Sequence, residues 1–279
     1  MATGLVAAMV AALVLAGCSR GLPGSERMFL DGDAYDIAMH RGAAPVVVFA
    51  SDVGRTKGEW RPVYSAIAAA NATFAWDRPG LGGSAASLDP RDGTEVVDEL
   101  EQLLRARNVT GPLVLVGDGS GGLYMQLFAR LHPQRIAGLV LVNPVAPATF
   151  GLSGGPAART RLPGSTVRVA GLGGAARAEY AALAVTGEEV RSAPALPADL
   201  PVVLVMSREP AGKGDEAAAD AARQAAFARL WPGADVRIVE GGPALVAGNP
   251  EAVISAIQAV LARADKSDDP AADSGGGTP

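Results

Sequence analysis

The sequence predicts an α/β fold, a mostly parallel sheet of eight strands with helices on both faces. Three observations predict it. Continuous apolar runs of strand length recur at 44–50 (APVVVFA), 112–117 (PLVLVG), 136–144 (IAGLVLVNP) and 200–207 (LPVVLVMS), the pattern of strands buried on both faces. Segments with apolar residues at helical spacing separate several of these runs. The two kinds alternate without an internal repeat, which is the order of a parallel sheet wrapped by helices. At 279 residues, 49% hydrophobic and 19% charged, the chain can bury a core of that size.

Taken in order, RMFLDG and YDIAMHRG form a hairpin ahead of the first buried run. EWRPVYSAIAAA (59–70) is a helix, and TFAWD (73–77) is a strand stopped by RPGLGGS. EVVDELEQLLRAR (95–107) places Val96, Val97, Leu100, Leu103 and Leu104 on one helical face, with Asp92 and Glu95 at capping-box spacing before it. GLYMQLFARLH follows the 112–117 strand as a helix, and ADVRIVEG (234–241) is the last strand. The final helix starts at Asn249 as N-cap with Pro250 in the first position, and Val253, Ile254, Ile257, Val260 and Leu261 form its stripe. Residues 145–199, rich in Gly and Pro and then helical, interrupt the rhythm and read as a short cap insertion over the ligand-binding end of the sheet.

The ends are of a different character. An apolar run from Leu5 to Ala16 leads into Leu15-Ala16-Gly17-Cys18. The run is short for a membrane span and right for a signal-peptide core. The segment resembles the lipobox of bacterial lipoproteins, although no Lys or Arg precedes Leu5. That resemblance implies a signal peptide at 1–17, a lipidated Cys18, and a linker at 18–26 ahead of a domain at 27–263 held at a membrane on the periplasmic or extracellular face. Residues 264–279 are polar and Gly-rich and are expected to be a disordered tail. The net charge of −5 and scattered basic residues exclude a nucleic-acid surface. Neither a cofactor nor a metal is expected.

The segments PVVVFASDVGRTKGEWRPV, WDRPGLGGS, LVLVGDGSGGLYMQLFARLHPQRIAGLVLVNP and VRIVEGGPALVAGNPEAVISAI come in the order of the α/β-hydrolase fold, which the chain resembles over 27–263. The resemblance implies a nucleophile on a strained strand-to-helix turn, G-x-S-x-G. Here Gly117 and Gly121 occupy the flanking positions, and the apex is Gly119, which carries no nucleophile. The resemblance also implies a histidine in the loop after the last strand, and that place falls on Pro243. His40 and His132, the only histidines, lie away from both positions and read as structural or surface residues.

An acid partner is open among Glu209, Asp215 and a strand end that carries Asn143. The ASDVG loop and the elbow imply oxyanion-like backbone donors at Asp52 and Ser120. Asp52, Asp118 and Trp76 are pocket candidates, with turn-capping the competing reading for the two aspartates. Three functional readings follow, the last being an evolutionary remnant with no ligand. One is a lipid-anchored protein with a degenerate triad that binds a small-molecule or protein ligand or scaffolds. Another is an esterase-like hydrolase using Ser120 with an atypical base. Asp118 as an aspartyl nucleophile needs a one-residue shift of the turn.

Overall fold

In the computed structural model, residues 21–147, 167–208, 225–227 and 229–267 are described. Eight strands form one sheet: β1 (Ser25–Leu30), β2 (Asp33–His40), β3 (Ala43–Ala50), β4 (Asn71–Trp76), β5 (Leu113–Asp118), β6 (Ile136–Val142), β7 (Val202–Arg208) and β8 (Asp235–Glu240). Their spatial order is β1-β2-β4-β3-β5-β6-β7-β8. The hairpin β1–β2 adds antiparallel to β4, and every later pairing is parallel. All six parallel strands therefore end at one edge, where the loops that could hold a ligand gather.

The helices are α1 (Arg61–Ala68), α2 (Gly93–Ala106), α3 (Gly121–Leu131), α4 (Gly174–Ser192), α5 (Leu245–Gly248) and α6 (Pro250–Ser267). Strand β5 explains why they divide between two faces. All six of its residues are buried. Leu113 and Leu115 point into a core shared with α2, α3 and α4, whereas Val114 and Val116 point into one shared with α1, α5 and α6. A strand apolar on both sides is stable only in the middle of a layered sheet, and β5 lies there, between β3 and β6.

Local signals set the helix starts. Asp92 is the N-cap of α2 and accepts the Glu95 N–H at 3.1 Å. Asn249 caps α6 through the Ala252 N–H at 3.3 Å. The ordered domain extends past both boundaries expected from sequence. Ser25 already pairs with Ala38, and Leu22 is buried in the α1/α6 core, so residues 21–26 contribute to the fold. At the other end α6 continues to Ser267, because Ala264 extends its stripe from Val260 and Leu261 into buried space. Within the 145–199 insertion, Val145 and Ala146 join the core, and α4 packs on α2 and α3. Among the described residues no helix is long and apolar enough to cross a membrane. Cys18, the segment before it, and most of the polar tail lie outside the described residues.

Candidate functional site

At the centre of the C-terminal edge, β5 turns into α3 through Gly119. Its φ of +52° is a left-handed conformation that glycine adopts without strain. Gly121 permits a second close approach, since a Cβ there would stand 2.4 Å from the Ala50 carbonyl oxygen. The tight turn thus persists with no side chain at its apex. The space that side chain would enter is not empty: a Cβ on Gly119 would lie 2.5 Å from the Asp52 carboxyl carbon.

Asp52 leaves β3 in the loop facing the turn, and its Oδ1 collects three donors. Ser120 gives its backbone N–H at 2.9 Å and its hydroxyl at 2.8 Å, and Val53 gives its N–H at 2.8 Å. The Val53 N–H also reaches the Ser120 Oγ at 2.8 Å. One amide from the residue after the apex and one from the loop after β3 are the two donors of an oxyanion hole. Here both are aimed at an oxygen of the protein's own carboxylate. The loop amide is Val53's, one residue beyond the expected donor, because the Asp52 N–H turns instead to Glu59 Oε2 at 3.1 Å. Ser120 and Asp52 are both buried.

Behind Asp52 lies a group of like charge. Glu59, on the helical turn Lys57–Trp60, and Asp118, at the end of β5, present their carboxyls to each other. Burial, then the nearby charge of Asp52, pushes Glu59 up to about 7. Burial, then the charges of Glu59 and Asp52, holds Asp118 well above the ordinary carboxylate range. Arg55 opposes both shifts. Asp118 Oδ1 is buried and meets no N–H or O–H donor of the protein. Burial and mutual repulsion both disfavour ionising the two acids together, so each is pushed toward its protonated form.

On the opposite side of the loop the charges are balanced. Arg78, just after β4, binds Glu179 of α4 through two hydrogen bonds of 2.6 and 3.0 Å. It also donates to the Ser51 and Asp52 carbonyls at 2.9 Å each. Glu179 further accepts the Gly54 N–H at 3.0 Å. Burial disfavours the Arg78 charge, yet the pairing with Glu179 outweighs it and leaves the guanidinium held more firmly protonated than usual. Lys57 fixes the next turn, with its Nζ 2.7 Å from Asp36 and 3.2 Å from Asp77 and its N–H on Asp77 at 2.6 Å.

The loop after β8 is built differently. Asn143, at the end of β6 with φ +41°, accepts the Ser207 N–H at 2.7 Å and hydroxyl at 3.0 Å, and its Nδ2 donates to the Pro243 carbonyl at 2.9 Å. Asn143 therefore clamps two strand ends to the loop where a general base would sit. Glu209 and Asp215 lie outside the described residues. His132 packs against Phe128 with ring centres 4.6 Å apart and the rings tilted by 43° at the far end of α3, and its basicity is lowered by burial. His40 ends β2 opposite Thr73.

The pocket expectation for Trp76 needs correction. On β4 its ring is buried with Phe74 in the core shared with α2 and α3, because a strand covered on both faces leaves no side for a pocket. Val53, Glu59, Arg78 and Glu179 were not singled out from the sequence. Arg78 lies in the WDRPGLGGS segment, but its partner comes from 101 residues later in the chain.

The strand order, the tight β5–α3 turn and the two converging amides define an α/β-hydrolase scaffold. The chain has the α/β-hydrolase fold. The sequence model of the serine aminopeptidase S33 family matches residues 43–163. The uncharacterized protein YqjL of Bacillus subtilis is 32% identical over 116 residues, 41% of this chain and 46% of that protein. The match spans less than half the length of the curated relatives. Among solved structures, a thermophilic esterase from Thermogutta terrifontis superposes with a TM-score of 0.64 at 19% identity, covering 86% of this chain and 98% of that one. The epoxide hydrolase CorEH does so with a TM-score of 0.64 at 16% identity, covering 85% and 98%. At these identities the likeness is one of fold.

Proposed function

We propose that the protein is a hydrolase-fold lipoprotein that has given up hydrolysis and serves as a binding or scaffolding domain at a bacterial membrane surface, tethered through a lipidated Cys18. The observation that carries the loss of chemistry is the seat of Asp52. An oxyanion hole works when its donors await charge that develops in the transition state. Here Oδ1 already holds the Ser120 and Val53 N–H groups, and its negative charge repels an incoming oxyanion. Glycine at 119 and proline at 243 remove nucleophile and base as well. A complete triad supplies about 10⁶-fold in rate, and without it binding and free oxyanion donors still leave roughly 10³–10⁴-fold over water. With those donors occupied, less than that remains.

One observation favours the second reading, an esterase using Ser120: its hydroxyl donates to a carboxylate at 2.8 Å, as a nucleophile does to a base. Against it, Ser120 is fully buried and its Oγ accepts the Val53 N–H. A fluorophosphonate probe separates the two. The purified protein is expected to stay unlabelled and to turn over activated esters at background rates. Labelling or hydrolysis that disappears in Ser120→Ala would establish the esterase reading instead. The anchor has its own test. Cys18→Ser is expected to release the domain from the membrane fraction or to leave an unprocessed precursor, and unchanged fractionation and migration would overturn the lipoprotein reading.

A further inference from the structure

The parallel strands all begin at the edge opposite the elbow, and arginines collect there. Arg41, Arg107 and Arg135 lie in the connections that lead into β3, β5 and β6, and Arg105, Arg130 and Arg229 in the helical residues just before the connections to β5, β6 and β8. Asp199, before β7, is the acid in these connections. At the elbow edge the balance is reversed. Asp52, Glu59, Asp77, Asp89, Asp92 and Asp118 stand at or after the strand ends, against Arg55, Lys57, Arg78 and Arg91.

Some of the arginines serve the fold. Glu101 pairs with Arg105 and Arg135, and Glu26 with Arg107. Arg130 is different. Its guanidinium lies over the Trp231 ring, 5.6 Å from the ring centre, and donates to the Pro194 carbonyl at 2.9 Å. Among the described residues no carboxylate pairs with it, and burial lowers its basicity with no acid to oppose the shift. Its Nε and the Trp231 Nε1 are buried and meet no acceptor of the protein. A half-buried cation without a counter-anion is completed by one from outside the chain. The residues beside these two in sequence, Leu131 and Leu230, are 42% and 43% exposed. Tryptophan, arginine and exposed leucine together suit the boundary between headgroups and hydrocarbon.

The tether arrives from the same edge. β1 pairs antiparallel with β2, and β2 with β4, so β1 begins on the side where β4 begins. Its entry turn is closed by the Ser25 N–H on the Leu22 carbonyl at 3.0 Å. Leu22 is buried, and Cys18 precedes it by four residues, a reach of about 14 Å at most. The six residues of β5 put the two edges about 20 Å apart, more than that reach. β1 and β8 are the outermost strands, about 34 Å from each other, so the tether and the Arg130–Trp231 site support opposite ends of one edge.

We propose that this edge of the sheet is a seat for an anionic lipid bilayer: headgroups supply the anion that Arg130 lacks, Trp231, Leu131 and Leu230 meet the boundary of the hydrocarbon, and the elbow edge faces away from the membrane. This deepens the reading of a domain tethered through Cys18 and rests on it. The acids of the elbow edge favour the same orientation, since an anionic surface repels them.

Hydrogen exchange read by mass spectrometry tests the seat on the protein as isolated from bacteria. The protein is placed on vesicles of phosphatidylethanolamine and phosphatidylglycerol, with phosphatidylcholine vesicles as the neutral reference. Peptides covering 129–135 and 229–234 are expected to exchange about fivefold more slowly on the anionic vesicles, the factor that one arginine represents at such a surface. Peptides covering 51–56 and 77–92 should not change. Arg229→Gln, at an exposed position, and Arg130→Gln should each remove most of the difference, and its full retention in both refutes the seat. No slowing at 129–135 and 229–234, or slowing at 51–56 and 77–92 instead, overturns it. So does the same slowing when the protein is concentrated without vesicles, which would mark the edge as a contact between copies of the chain. The mass of the Cys18 peptide in the same digest reads the anchor separately. An acylated Cys18 with an unslowed edge refutes the seat and leaves the tether standing, whereas an unmodified Cys18 with a slowed edge refutes the tether and leaves the seat.

Discussion

Arg78 and Glu179 meet on one side of the loop that follows β3, opposite in sign, buried, and joined by two hydrogen bonds. On the other side of the same loop Asp52, Glu59 and Asp118 bring together three groups of one sign with Arg55 as their counterweight. The first cluster ties β4, the loop and α4 into one body. The second sets like charges against one another at the turn, where burial and that repulsion favour the protonated acids. The contrast teaches that burial alone does not decide what an ionic group does. Its partners decide whether it fastens the loop or puts it under tension.

The largest expected effect comes from breaking the fastening side. Glu179→Ala leaves a buried guanidinium without its partner and a Gly54 N–H without its acceptor. A loss of about 3–5 kcal/mol is expected, lowering Tm by roughly 10 °C, measured by denaturant and thermal unfolding. A loss below about 1 kcal/mol would mean that the pair only breaks even with solvent.

Gly119→Ser tests the crowded side. The new Cβ would stand 2.5 Å from Asp52 and would adopt a positive φ. A cost of about 1–3 kcal/mol is expected. Combining it with Asp52→Gly should recover part of that cost, a coupling of at least about 0.5 kcal/mol in a double-mutant cycle. Pure additivity would show that the two positions do not compete for the same space. The same crowding means that restoring serine at 119 and histidine at 243 is not enough to rebuild a hydrolase unless Asp52 also changes.

The smallest effect has the opposite sign. Glu59 and Asp118 have raised pKa values when folded. Between their ordinary range and the raised values the native state binds more protons than the unfolded chain, so stability falls as pH rises from about 4.5 through 7. Well below pH 3.8 both states are protonated and the penalty vanishes. Asp118→Asn should therefore come closest to the native protein at about pH 3 and exceed its Tm increasingly toward pH 8. A variant less stable at pH 8 would show that the carboxyl contributes more through contacts than it costs through charge.

Much of the framework was legible in the chain because its signals are local. Runs such as PLVLVG (112–117) contain their own evidence of burial on both faces, and Asp92 and Asn249 precede their helices by one residue. The vacant apex could be read because the flanking glycines 117 and 121 register the turn. What filled the vacancy could not. Asp52 and Ser120 are 68 residues apart, and a turn-capping aspartate and one reaching across to another strand look alike in sequence. Glu59 read as the first residue of an amphipathic helix, since its partner Asp118 lies on a strand formed much later in the chain. Trp76 misled because aromatic residues line pockets and fill cores with equal ease.

Helix α4 bears on how this scaffold could be recombined with others. Glu179 reaches Arg78, and ten residues later Glu189 accepts the Gly93 and Thr94 N–H groups at 2.9 and 3.3 Å and the Thr94 hydroxyl at 2.7 Å. Those ten residues span about 15 Å of helix, enough to bridge the end of β4 and the start of α2. Between strands β6 and β7, then, sits a brace riveted at two points rather than an interchangeable module. A chimera that exchanged this segment for that of another hydrolase would strand Arg78 and uncap α2 together, so a workable graft has to import both glutamates at matching spacing or replace both of their receptors.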